Sequence, residues 1–164
     1  MSSLAVLVFL HTAISLVAIL AGLVVTVQLL AGRISRFWTD LFLIMAGATS
    51  VTGYFFPFGG VTPAQIVGVI ALVILALVLI ARHRGRFAGH WRWIYAAGMV
   101  ASLYFLLFVL VVQAFRHVPA LQPLAPTGSE PPFQIAQLIV LLATAAAGIL
   151  ATRRFRPALP AVAG

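Results

Sequence analysis

Five long apolar runs occupy most of this 164-residue chain, and its arginines lie almost entirely between alternate pairs of those runs. The runs cover residues 4–30, 39–56, 63–81, 93–116 and 132–152. A helix of about 20 residues crosses the ~30 Å hydrocarbon core of a bilayer, because each residue advances it by about 1.5 Å. The sequence therefore predicts an all-α, polytopic integral membrane protein: one bundle of five transmembrane helices, with no separate soluble domain.

The composition also indicates that lipid surrounds most of the chain. Hydrophobic residues make up 63% of the chain and charged residues only 7%, whereas about 25% of a soluble domain is charged. The ten basic residues are all arginines, and they give a net charge of +8. Because they flank apolar runs instead of forming a basic helix, anionic lipid headgroups are the expected partner and nucleic acid is not. The absence of cysteine excludes disulfides and thiolate chemistry.

The distribution of the arginines predicts an orientation. Nine of the ten lie in the first and third connections or after the fifth run, and only Arg116 lies in the fourth connection. Cytoplasmic loops carry such an excess, so the N-terminus is predicted outside and the C-terminus in the cytoplasm. A re-entrant second run would break this alternation. The arginines predicted to meet headgroups are Arg33, Arg36, Arg82, Arg84, Arg86, Arg92, Arg153, Arg154 and Arg156.

Several residues predict where helices begin and end. Gly32 is suited to a C-terminal cap after the first run. Thr39 or Asp40 is expected to cap the second helix. The segment 62–65, Thr-Pro-Ala-Gln, has the pattern of a capping box with proline at the first helical position.

Polar residues crowd toward the predicted outer side of the membrane. An ionisable side chain inside a span is costly and is a functional hypothesis by default, so His11 is the leading candidate. It could donate to a quinone carbonyl, ligate haem or carry a proton, or it could be a neutral imidazole bonded to a neighbouring helix. The residues predicted to bind a ligand are His11, Ser15, Gln113, His117, Glu130, Gln134 and Gln137.

No cofactor is predicted outright, and two alternatives stay open. A quinone could be held by His11, Gln113 and Gln137, and b-type haem could lie between His11 and His117. No metal site is expected, since the spacing of His83 and His90 fits no common one. No catalytic residue is predicted either, because the chain has neither a Ser–His–Asp arrangement nor paired carboxylates, which argues against an enzyme.

Part of the sequence resembles a known family. The stretch Gln113-Ala114-Phe115, then Leu124-Ala125-Pro126-Thr127, Ser129-Glu130-Pro131-Pro132-Phe133 and Ala136-Gln137 is similar to an uncharacterised family of small bacterial multi-span inner-membrane proteins. Segments 10–15, 49–58 and 90–95 fit the same family, so the resemblance covers most of the chain. It implies a location in the bacterial inner membrane and no activity.

Taken together, these features favour a non-enzymatic membrane protein that is an accessory, scaffold or small-ligand-binding subunit. The expected partners are the bilayer, with anionic headgroups on the cytoplasmic side, and a larger membrane complex or further copies of the chain. A redox-linked protein that binds quinone or haem b near His11 is one alternative. A small transporter or channel is another, disfavoured by the few intramembrane charges.

Overall fold

The structure, a computed structural model, describes residues 2–57 and 62–156, which are helical with no β-strand in either range. The helices are α1 (Ser3–Leu30), α2 (Arg36–Thr52), α3 (Pro63–His83), α4 (His90–His117) and α5 (Pro131–Arg154), with single-turn 3-10 helices at Gly53–Phe55 and Gln122–Leu124. Within the described ranges, α1, α3, α4 and α5 are long and apolar enough to cross a membrane. The predicted all-α fold with helices of membrane-spanning length is confirmed.

Two of the predicted helix ends are confirmed in detail. After α1, Gly32 adopts a φ of +69°, a conformation that glycine reaches without steric cost. Before α3, the Thr62 hydroxyl accepts from the Gln65 backbone N–H at 3.3 Å, and the Gln65 side chain accepts from the Thr62 N–H at 2.9 Å. Proline occupies the first turn of α3, where its missing N–H is not needed.

The start of α2 differs from the prediction. Helical geometry begins at Arg36, and the N-cap residue is Ser35, which makes no side-chain cap bond. Thr39 and Asp40, the expected caps, therefore lie inside the helix. Asp40 instead forms ion pairs with Arg82 of α3 and with Arg36. Arginine side chains, one of them on the next helix, therefore take the place of free backbone N–H groups as partners of this carboxylate.

Contacts between helices gather their arginine-bearing ends at one end of the bundle. Asp40 of α2 pairs with Arg82 of α3 at 2.5 Å, and Nη1 of Arg92 on α4 donates to the Phe155 carbonyl just past α5. Gly32, after α1, lies so near the last turn of α5 that an added Cβ would be 3.4 Å from the Arg154 carbonyl oxygen. We call the end formed by 31–36, 82–92 and 153–156 the arginine end. The opposite end, formed by 2–11, 53–57, 62–64 and 117–131, is the His11 end.

Packing is concentrated toward the arginine end. The helix α4 is central and packs against α1, α3 and α5, while α2 packs against α1 and α3. Buried helical residues lie between the middle of each helix and the arginine end, except Ala46 and Ala71, which lie two residues beyond the middle of α2 and α3. Examples are Ala18, Val25 and Leu29 in α1, Phe42 in α2, Leu75 and Val78 in α3, Tyr95 and Leu103 in α4, and Ala151 in α5. Toward the His11 end, the helical segments 3–17, 47–52, 63–70, 104–117 and 131–143 include no buried residue.

A cluster of three aromatic rings stabilises the arginine end. The ring centroids of Phe87 and Tyr95 are 4.8 Å apart, and the Phe155 ring lies 5.7 Å from the first and 5.5 Å from the second. Tyr95 and Phe155 are fully buried. Phe87 adopts a φ of +60°, which is unfavourable for a side chain of this size and is offset here by the ring contacts. The connection between α3 and α4 and the end of α5 therefore form one packed unit.

Candidate functional site

His11 lies on the open half of α1 and bonds to α2. Its Nδ1 atom is 2.8 Å from the Thr52 hydroxyl oxygen. The Phe56 ring meets the imidazole edge to face, with centroids 5.2 Å apart and planes at 85°. One turn further along α1, the Ser15 hydroxyl donates to the His11 carbonyl at 2.7 Å. His11 is half-buried, so the α1–α2 contact fixes the Nδ1 edge of its ring while part of the residue stays exposed.

Gln137 of α5 makes a separate contact with α4. Its Nε2 donates to the backbone carbonyl of Phe108 at 3.1 Å. Its Oε1 is buried and has no hydrogen-bond partner within the described residues. A buried acceptor without a donor costs about 1–3 kcal/mol, so this amide oxygen is a second place where a donor would be stabilising.

Glu130 organises the turn that leads into α5. Its carboxylate accepts from the Thr127 N–H at 2.9 Å, the Thr127 hydroxyl at 2.8 Å and the Ser129 N–H at 3.0 Å. These donors, led by the Thr127 backbone N–H, lower the pKa of Glu130 to about 2. Gln134 extends the same turn by donating to the Ser129 carbonyl at 2.7 Å. These local hydrogen bonds indicate that Glu130 and Gln134 are structural parts of a stable turn.

The two predicted ligand residues at the end of α4 are exposed. Gln113 and His117 lie on its last two turns, and neither side chain makes a hydrogen bond to the part of the chain that the structure describes. The predicted polar residues thus form three local groups: His11 with Ser15, Gln137 alone, and Glu130 with Gln134. No hydrogen bond between described residues joins one group to another.

At the arginine end, two predicted headgroup residues are partly buried and held by intramolecular partners. The Arg82 side chain is only 14% exposed and pairs with Asp40. Arg92 donates to the Phe155 carbonyl, and the Thr152 carbonyl lies 3.5 Å away. The other seven are exposed, although Arg36 also pairs with Asp40 at 3.6 Å. They are Arg33, Arg36, Arg84, Arg86, Arg153, Arg154 and Arg156.

Sequence reasoning missed the polar groups buried beside this ion pair. The Thr39 and Tyr95 hydroxyls are buried and make no hydrogen bond of good geometry to described residues. Both lie near Asp40 and Arg82, which act electrostatically on Tyr95. No signal in the sequence marks them, because which helices become neighbours is not encoded in hydropathy.

Metal ligands are not assembled in the described part of the chain. No group of three or more His, Asp or Glu side chains there could hold a metal ion. Of the two residues predicted as haem ligands, His11 is held by Thr52 and His117 is exposed at the end of α4. The haem and quinone alternatives stay predictions.

Comparisons with known proteins give no family assignment. No protein-family model matches the chain, and neither a curated protein nor a solved structure is significantly similar to it.

Proposed function

We propose that this chain is a five-span protein of the bacterial inner membrane, with its N-terminus outside and its C-terminus in the cytoplasm. The gathering of nine arginines at one end of the bundle supports that orientation. The bacterial location is inferred from the family resemblance. The shortest of the five helices is α2, which has 17 residues.

The length of α2 supports its role as the fifth span. Seventeen helical residues rise about 25 Å, and the 3-10 turn at Gly53–Phe55 adds about 6 Å. The sum matches a ~30 Å hydrocarbon core. Moreover, α2 packs along α1 and contacts α3, and its N-terminal Asp40 pairs with Arg82 at the arginine end.

We further propose that the protein is non-enzymatic and serves as an accessory or small-ligand-binding subunit. The observation that carries this proposal is the packing gradient, since the helical segments toward the His11 end, 3–17, 47–52, 63–70, 104–117 and 131–143, include no buried residue. Because the helices pack tightly only toward the arginine end, their segments toward the His11 end expose surface to which a second molecule can bind. Because these segments also contain the partly exposed His11, the favoured occupant is an amphipathic small molecule with a polar head and an apolar tail.

The test is native mass spectrometry of the protein released from mild detergent, with organic extraction of the same sample. We expect a bound small molecule whose amount falls at least tenfold in a His11→Ala variant. The matched control is His90→Ala, since His90 is an exposed histidine at the arginine end. A bound partner protein that survives His11→Ala would instead favour the accessory role. Wild-type protein without bound molecule or partner would contradict the proposal.

A further inference from the structure

The Thr52 hydroxyl donates its hydrogen bond to a backbone carbonyl of its own helix. Its Oγ1 lies 2.7 Å from the Ala48 carbonyl oxygen and 3.2 Å from the Thr49 carbonyl oxygen. Two oxygens at 2.7 Å repel unless a proton lies between them, and the carbonyl has none to offer. The hydroxyl proton therefore points back along α2 to Ala48, and the Thr52 oxygen presents a lone pair to His11.

This arrangement fixes the tautomer of His11. The Nδ1 atom is 2.8 Å from the Thr52 hydroxyl oxygen, which already donates its only proton to the Ala48 carbonyl. Nδ1 must therefore carry the hydrogen of the His11–Thr52 hydrogen bond. A neutral imidazole has one N–H and one bare nitrogen. Nε2 is therefore the bare nitrogen, and it makes no hydrogen bond to any residue in the described ranges. The Phe56 ring, edge to face with the imidazole, holds the ring in this orientation.

We propose, building on the ligand-binding function above, that His11 accepts a hydrogen bond from a hydroxyl-bearing amphipathic ligand of the hydroquinone class. A bare Nε2 cannot donate to a carbonyl, so the oxidised quinone is disfavoured relative to its reduced, hydroxylated form. Leu10 and Phe55, which adjoin His11 and Phe56 in the chain, are 51% and 68% exposed. The site therefore opens sideways to lipid, where the tail of such a ligand would lie.

The first experiment reads the tautomer directly. Nitrogen-15 NMR of histidine-labelled protein in lipid nanodiscs at pH 8 distinguishes Nδ1–H from Nε2–H, with the His11 signal assigned from its loss in His11→Ala. We expect Nδ1–H in the wild type. Thr52→Val should shift His11 toward Nε2–H, and Thr52→Ser should restore Nδ1–H. The control is Thr144→Val, because Thr144 makes the same backbone bond, to Val140 at 2.7 Å, in a different helix.

The second experiment measures binding in the same nanodiscs under anaerobic conditions, with reductant added only to the hydroquinone sample. The probes are a decyl-tailed benzohydroquinone, its quinone and its dimethyl ether. One intramembrane hydrogen bond corresponds to roughly a 3- to 20-fold affinity difference. We expect the hydroquinone to bind more tightly than the other two by that factor, and Thr52→Val to abolish the preference.

The two readouts separate the ways in which the reasoning could fail. An Nε2–H signal in the wild type would overturn this inference while leaving ligand binding at His11 intact. An Nδ1–H signal with equal affinity for all three probes would overturn the assigned ligand class. An Nδ1–H signal with no binding of any probe would overturn the hydroquinone assignment and, if native mass spectrometry also finds nothing bound, the proposed function with it.

Discussion

Replacing Gly22 by alanine probes the tight packing of the arginine half. A Cβ at this position would lie 2.7 Å from Cε2 of Phe42 and 2.9 Å from Cδ1 of Leu103. Those side chains are 0% and 2% exposed, so neither can move without displacing further neighbours. Overpacking of this kind costs about 1–3 kcal/mol. The residue joins three helices, since it lies on α1 while its neighbours lie on α2 and α4.

Gly47 provides the matched control. It lies within α2, and a Cβ there would meet nothing within 4 Å. Both substitutions bring the same gain in helix propensity, about 0.5–1 kcal/mol. The difference between Gly22→Ala and Gly47→Ala therefore isolates the overpacking cost. We expect the Gly22 variant to be less stable than the Gly47 variant by about 1–3 kcal/mol.

The assay is reversible unfolding in mixed micelles of increasing dodecyl sulfate content, followed by tryptophan fluorescence. Trp38, Trp91 and Trp93 all lie near the arginine end, so the signal reports the part of the bundle that Gly22→Ala disturbs. Equal midpoints for the Gly22 and Gly47 variants would refute the packing argument, because they would mean that the three helices do not meet at Gly22.

Three further predictions concern charged side chains. Arg82→Met leaves Asp40 without its close partner, and should lower the free energy of unfolding in the same assay by about 1–3 kcal/mol; an unchanged midpoint would contradict the ion pair. Arg92→Met removes the donor to the last carbonyls of α5, and should increase amide exchange in 151–155 by roughly fivefold, the equivalent of about 1 kcal/mol; unchanged exchange would exclude this role. The pKa of Glu130 lies below its ordinary value of 4.5, at about 2. The carboxylate therefore stabilises the turn fully above pH 4.5, and this stabilisation is lost as the pH falls through about 2. An NMR titration of the turn amides with its midpoint at 4.5 would contradict this.

Local signals in the sequence predicted local structure well. The apolar runs identified the five helices, and the segment 62–65 identified the start of α3 because a capping box needs only neighbouring residues. The φ of Gly32 followed from its place after the first run. The start of α2 was predicted three residues late, because the partner of Asp40 lies on another helix, at Arg82.

Contacts between helices could not be read from the sequence. In a bilayer the face toward lipid and the face toward protein are both apolar, so hydropathy does not show which side of α4 or α5 is buried. Phe155 illustrates the difficulty, since it lies beyond the fifth apolar run yet is fully buried against Tyr95. The polar residues near the His11 end were identified as a set, but their separation into local groups depends on helix rotation.

The most direct test of the account is accessibility mapping with single cysteines, for which the cysteine-free chain provides a clean background. Cysteine replaces Ser3, Ala64, Ala88 or Ala120, each of which is exposed, and intact cells are treated with a membrane-impermeant maleimide. We predict labelling at 3, 64 and 120, and labelling at 88 only after the membrane is opened. Labelling at 3 and 88 with protection at 64 in intact cells would show that α2 does not span, and would contradict the five-span bundle with its arginine end in the cytoplasm.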